Sequence, residues 1–115
     1  MTLMEEIKKK ILYTEGSPRF TLTITDLTAG ASKLYGFEND STLGKYIPFN
    51  WLRIVNDSGV DLNIYIGQNN AEIIKNNSIF TQEGNFYSFI LENIGASTAT
   101  GSDIHTHIQR KPTGG

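Results

Sequence analysis

WLRIVNDSGVDLNIYIG, residues 51–67, sets two apolar runs around a polar knot. Side chains alternate across an extended chain, so Leu52 and Ile54 share one face of a first strand. Leu62, Ile64 and Ile66 share one face of a second. Between them, Asn56, Asp57 and Ser58 are short polar residues that bond their own backbone, and Gly59 takes positive φ at no steric cost. The reading is an antiparallel hairpin.

The same grammar continues in both directions. AEIIK (71–75) and SIFTQ (78–82) flank Asn76-Asn77 as a second hairpin. Phe86 to Leu91 is apolar on both faces, the mark of a central strand. NIGASTATGSD (93–103) is a long loop of small residues. IHTHIQR (104–110) closes the sheet, with Ile104 and Ile108 on one face and His105 and His107 on the other. Upstream, Phe20, Leu22 and Ile24 alternate with three threonines, the pattern of a half-buried strand. Residues 26–50 are punctuated by Gly30, Gly36, Gly44 and Pro48. Ala29 to Tyr35 suits a helical turn within a packed loop, because Leu34, Tyr35 and Phe37 need partners. About seven strands, with turn signals every ~8–12 residues, predict a single antiparallel β-sandwich, jelly-roll-like or immunoglobulin-like.

LMEEIKKKILY (3–13) differs in period. Leu3, Ile7 and Ile11 recur at helical spacing, with acids early and lysines late, as a helix macrodipole favours. The segment is too short to be stable alone in water. It either caps its own domain or reaches onto a neighbour. The expected organisation is a helix or arm over 1–16 and a β-sandwich domain over 17–115.

Composition narrows the chemistry. The chain has 115 residues, net charge −2 and no cysteine, so disulfides, thiolate catalysis and cysteine-bound zinc are excluded. Its basic residues are scattered, with no nucleic-acid footprint. No stretch approaches the ~18 apolar residues of a membrane span, and the N-terminus lacks the apolar core of a secretory signal.

Candidate sites are few. His105-x-His107 puts two imidazoles on one strand face, a geometry that metal sites use. A third ligand is missing unless Asp103 joins them, and a solvated strand face accounts for the pair. The carboxylates sit at turns and strand ends without a readable pairing for acid–base work. There is no nucleophile elbow and no phosphate loop with its lysine. YIPFNW (46–51) gathers Tyr46, Phe49 and Trp51, aromatics that either plug one end of a sandwich or stack on sugars. The expectation is no catalytic residue, no metal and no cofactor.

From Trp51 to Lys111 the succession RIVNDSGVDLNIYIG, a second hairpin, NFYSFILENIG, a small-residue loop and DIHTHIQR resembles the small β-sandwich structural proteins of viral and phage particles. The resemblance covers roughly half the chain. It implies a non-enzymatic virion protein of decoration or minor capsid type. Such a protein binds the major capsid protein or other virion proteins and is often a trimer. Its contacts with neighbours would be made by Leu3, Ile7 and Ile11 of the arm and by Tyr46, Trp51 and the loops. The rivals are a carbohydrate- or receptor-binding module built on Tyr46 and Trp51, and a cupin-like metalloenzyme using His105 and His107.

Overall fold

The computed structural model describes residues 16–67 and 70–112. Leu3, Ile7 and Ile11 of the expected arm lie outside them. Among the described residues eight strands form: β1 Phe20–Leu22, β2 Ser32–Gly36, β3 Phe49–Asn56, β4 Leu62–Ile66, β5 Glu72–Ile74, β6 Ser78–Phe86, β7 Ser88–Asn93 and β8 Ile104–Gln109. Two short 3-10 turns, Leu43–Tyr46 and Gly101–Asp103, are the helical elements.

The strands make two four-stranded antiparallel sheets, in the orders β1-β8-β3-β6 and β2-β7-β4-β5. The pairs β1·β8, β2·β7, β3·β6 and β4·β5 are those of one long hairpin folded at the β4–β5 turn. Rolling that hairpin brings β3 beside β8 and β4 beside β7 and completes the sheets. This is the jelly-roll order, and not the immunoglobulin one.

The core follows from the alternation. Leu52 and Ile54 of β3, Leu62 and Ile64 of β4, Phe89 and Leu91 of β7 and Ile104 and Ile108 of β8 are all buried between the sheets. Each such side chain contributes about 1.5–3 kcal/mol of burial before ordering costs. One end is sealed by rings: Phe49 lies 5.3 Å from Phe37 and 6.2 Å from both Phe20 and Phe86, centroid to centroid.

Several expectations change. Residues 51–67 do not form a hairpin: β3 and β4 lie in opposite sheets, and 57–61 carries the chain across the core. An inward apolar face is required of both strands whether they pair edge to edge or meet face to face, so alternation does not separate the two cases. For the same reason AEIIK and SIFTQ are split, β5 joining β4 and β6 joining β3. Ala29–Tyr35 is no helical turn. Ser32–Gly36 pairs with β7 as an edge strand, where Tyr35 stacks on Phe89 at 5.4 Å, a contact over 54 positions of sequence that local propensity does not encode. The apolar run Phe86–Leu91 breaks at Tyr87, between β6 and β7, while β7 is central as expected. β8 also lies inside its sheet, between β1 and β3.

Candidate functional site

Polar side chains inside the sandwich gather at the end where β3 passes to β4 and β7 to β8. Asn56 ends the inward series Leu52, Ile54, Asn56, and Asn93 ends Phe89, Leu91, Asn93; both are fully buried. Asn56 donates from Nδ2 to the carbonyls of Val60 and Ile74, both at 2.9 Å, and its Oδ1 accepts from the Ser58 amide and hydroxyl. Asn93 donates to the carbonyls of Leu27 at 2.9 Å and Ser97 at 2.7 Å, and accepts from the Gly95 amide. These side chains hold the loops as hydrogen-bond hubs, with donors and acceptors used up internally. The signal was in the alternation: an asparagine at an inward position needs partners.

The chemistry that reaches solvent lies on the outer face of the β1-β8-β3-β6 sheet. Strand register lays it out in rows. His105 faces Val55, which faces Ile79; Thr21, His107, Arg53 and Thr81 form the next row; Gln109, Trp51 and Glu83 the next. These positions alternate with the buried Leu52, Ile54, Thr106 and Ile108.

Trp51 is only 7% exposed although it points outward. The Arg19 guanidinium lies 4.8 Å from its ring centroid and the Lys111 ammonium 5.0 Å. Each is a cation–π contact. The ring is therefore covered, and not open to stack on a sugar. Tyr46 is not beside it in a common site. It packs on the core margin 5.4 Å from Phe20, and its carbonyl accepts from Arg110 Nη1 at 3.4 Å. The structure thus separates the two aromatics that the sequence grouped.

His105 and His107 share the outer face as expected. His107 Nδ1 is sealed from solvent and has no hydrogen-bond partner among the described residues. Burial, then the charges of Arg19, Arg53 and His105, hold the His107 imidazole below its usual pKa. The same guanidinium charges also repel a metal cation. Among the described residues no three His, Cys, Asp or Glu converge as metal ligands. Arg19, Arg53 and Lys111 were not singled out from the sequence. Alternation puts Arg53 beside Trp51's face, but only register brings Arg19 and Lys111 to it from other segments.

The hollows are surface grooves. One of about 560 Å³ runs between residues 21–26 and the start of β8, lined by threonines, Asp26 and Ser102. Another, of about 470 Å³, lies along 84–88. Between the sheets, the space at Ile64, Ile66 and Phe80 is about 10 Å³, room for one water.

Large apolar side chains also stand outside the core. Leu34 is 61% exposed, Ile79 60%, Ile73 59% and Tyr87 52%. Leu34, Ile90 and Tyr65 form a row across β2, β7 and β4 on the outer face of the second sheet. Beside it Glu92 accepts from Tyr65 Oη at 2.9 Å and Asn63 Nδ2 at 3.2 Å. No helix among the described residues is long and apolar enough to cross a membrane. No protein-family model, no curated protein and no solved structure matches the chain.

Proposed function

We propose that this protein is a non-enzymatic structural component of a virus particle, a decoration or minor capsid protein that binds neighbouring subunits through its outer surfaces, loops and N-terminal arm. One observation carries the reading: the jelly roll is filled with side chains, its two interior asparagines are spent on holding loops, and large apolar residues such as Leu34, Ile73 and Ile79 are left on the outside. A rigid body with its chemistry on the exterior suits adhesion. Display on a lattice would make individually weak contacts effective. Fold alone does not assign the role, because jelly rolls serve capsids, lectins and cupins alike. The covered Trp51 ring weighs against the carbohydrate module, and the cationic surroundings of His107 weigh against the metalloenzyme.

Deletion of residues 1–15 tests the reading. Among the described residues the strands begin at Phe20, so the far-ultraviolet circular dichroism of a β-domain should persist. Self-association, or co-sedimentation with particles carrying the major capsid protein, should weaken. A truncated chain that unfolds would make the segment part of the core. One that stays folded and binds as before would remove the arm from the mechanism.

A further inference from the structure

The outer face of the β1-β8-β3-β6 sheet is electrically polarised along its strands. The β3·β8 register runs from Trp51 opposite Gln109 to Asn56 opposite Ile104. It continues one step further, where the Asp57 amide donates to the Asp103 carbonyl at 2.9 Å. Asp57 and Asp103 thus follow two positions beyond Val55 on one strand and two before His105 on the other, Asp103 closing the 3-10 turn that leads into β8. They close one end of the face with two exposed carboxylates whose side chains make no hydrogen bond among the described residues. The other end holds Arg19 and Lys111, clasped over Trp51. Arg53 lies between, and Glu83 stands on the edge strand. Three cations and three carboxylates cancel, so the face as a whole offers little to a polyanion. What remains is a dipole on a flat sheet with Val55 and the exposed Ile79 in the row next to the carboxylates.

We propose that this face is a contact between two copies of the chain, packed sheet on sheet with their strands running in opposite senses. Asp57 and Asp103 of each copy then lie against Arg19 and Lys111 of the other. The opposite orientation would set acid on acid and base on base. A two-fold contact of this kind uses the same patch on both partners. Four strands at about 4.8 Å spacing and some eight residues at about 3.3 Å rise give a footprint near 500 Å² per copy. That is short of the ~800 Å² per partner of a standard interface. The contact is accordingly weak, dependent on charge, and suited to an assembly in which other contacts hold the copies together. It deepens the self-association part of the reading above and does not require a particle.

Sedimentation of the full-length chain over a concentration series tests it, with circular dichroism as the check on folding. Association should weaken about tenfold between ~50 mM and ~500 mM salt, where screening shortens from roughly 14 Å to 4 Å. Asp57→Lys with Asp103→Lys should weaken it by at least about tenfold through like-charge contact, as should Arg19→Glu with Lys111→Glu. The chain carrying all four changes, or an equimolar mixture of the two double variants, should associate again. Asp57→Asn with Asp103→Asn, which removes the attraction without adding repulsion, should weaken association in the same direction by less, and serves should a reversed chain fail to fold. A chain that stays monomeric in low salt overturns the proposal, whether or not it binds an added polyanion such as heparin. So does association indifferent to salt and to these substitutions, or a folded fourfold variant that fails to recover. If deletion of residues 1–15 leaves the salt-sensitive association intact, the face stands while the arm is excluded.

Discussion

Asn56 and Ile74 join the two sheets: the buried Asn56 amide on β3 donates to the Ile74 carbonyl on β5 at 2.9 Å. The same nitrogen reaches the Val60 carbonyl, also at 2.9 Å, so one side chain ties the crossing loop to both layers. Asn56→Asp keeps the size and removes both donors. It leaves two buried carbonyls facing a carboxyl group, and destabilisation of roughly 1–3 kcal/mol is expected. Urea unfolding should show the midpoint falling with the slope unchanged. A variant as stable as the parent would mean that the bonds contribute nothing to holding the crossover.

Two glycines separate strain from collision. Gly59 has φ of +94° with nothing within 4 Å of a built Cβ. Gly59→Val should lower stability by roughly 1–3 kcal/mol through backbone strain alone, and Gly59→Asn should recover most of it, since asparagine tolerates this region. At Gly101 an added Cβ would strike backbone atoms of Ile24 and Thr25, the Thr25 carbonyl carbon at 2.6 Å. Gly101→Ala should cost about as much by overpacking, and Asn at that site should be worse. Thermal melting of the four variants discriminates the two causes; rescue by asparagine at both positions would contradict them.

Thr106 sits among the inward residues of β8, fully buried, with its hydroxyl unpartnered among the described residues. Thr106→Val replaces that hydroxyl with a methyl group of similar shape. A gain of about 1–2 kcal/mol is expected, because burial of an unpaired hydroxyl is unfavourable by that order. For a chain of this size the melting temperature should rise by several degrees. A fall would contradict the reading of that hydroxyl as an unpaired group.

His107 should titrate below 6.5, its ordinary value. Burial disfavours its charged form first, then Arg19, Arg53 and His105. The folded state therefore binds a proton less readily than the unfolded chain. Stability attributable to this group is present above the unfolded pKa and is lost as pH falls through the folded one. Proton NMR of the imidazole resonances gives the value directly. Arg53→Gln should move it back towards the ordinary range, and a His107 pKa that ignores Arg53 would remove the electrostatic argument for this face.

The alternating stretches carried the fold class unaided. Leu52 with Ile54, Leu62 with Ile64, and Ile104 with Ile108 name the inward faces, because period-two apolarity has one stable use in a chain of this length. The same pattern shows Asn56 and Asn93 at inward positions, although their hub role appears only with their partners in place. Gly59's positive φ was legible from turn chemistry, a local property. What alternation does not contain is which strand lies beside which. β3 and β4 expose identical periodicity whether they pair laterally or oppose across the core, so the jelly-roll order had to come from contacts between distant segments. The outer face has the same origin. Arg19, Trp51 and Lys111 span 93 positions of sequence and meet because β1, β3 and β8 share a sheet. Sequence by itself determined which side of each strand is apolar, a matter of single-residue solvation. Tertiary structure alone decided which charges share a surface, since that depends on register between strands far apart in the chain.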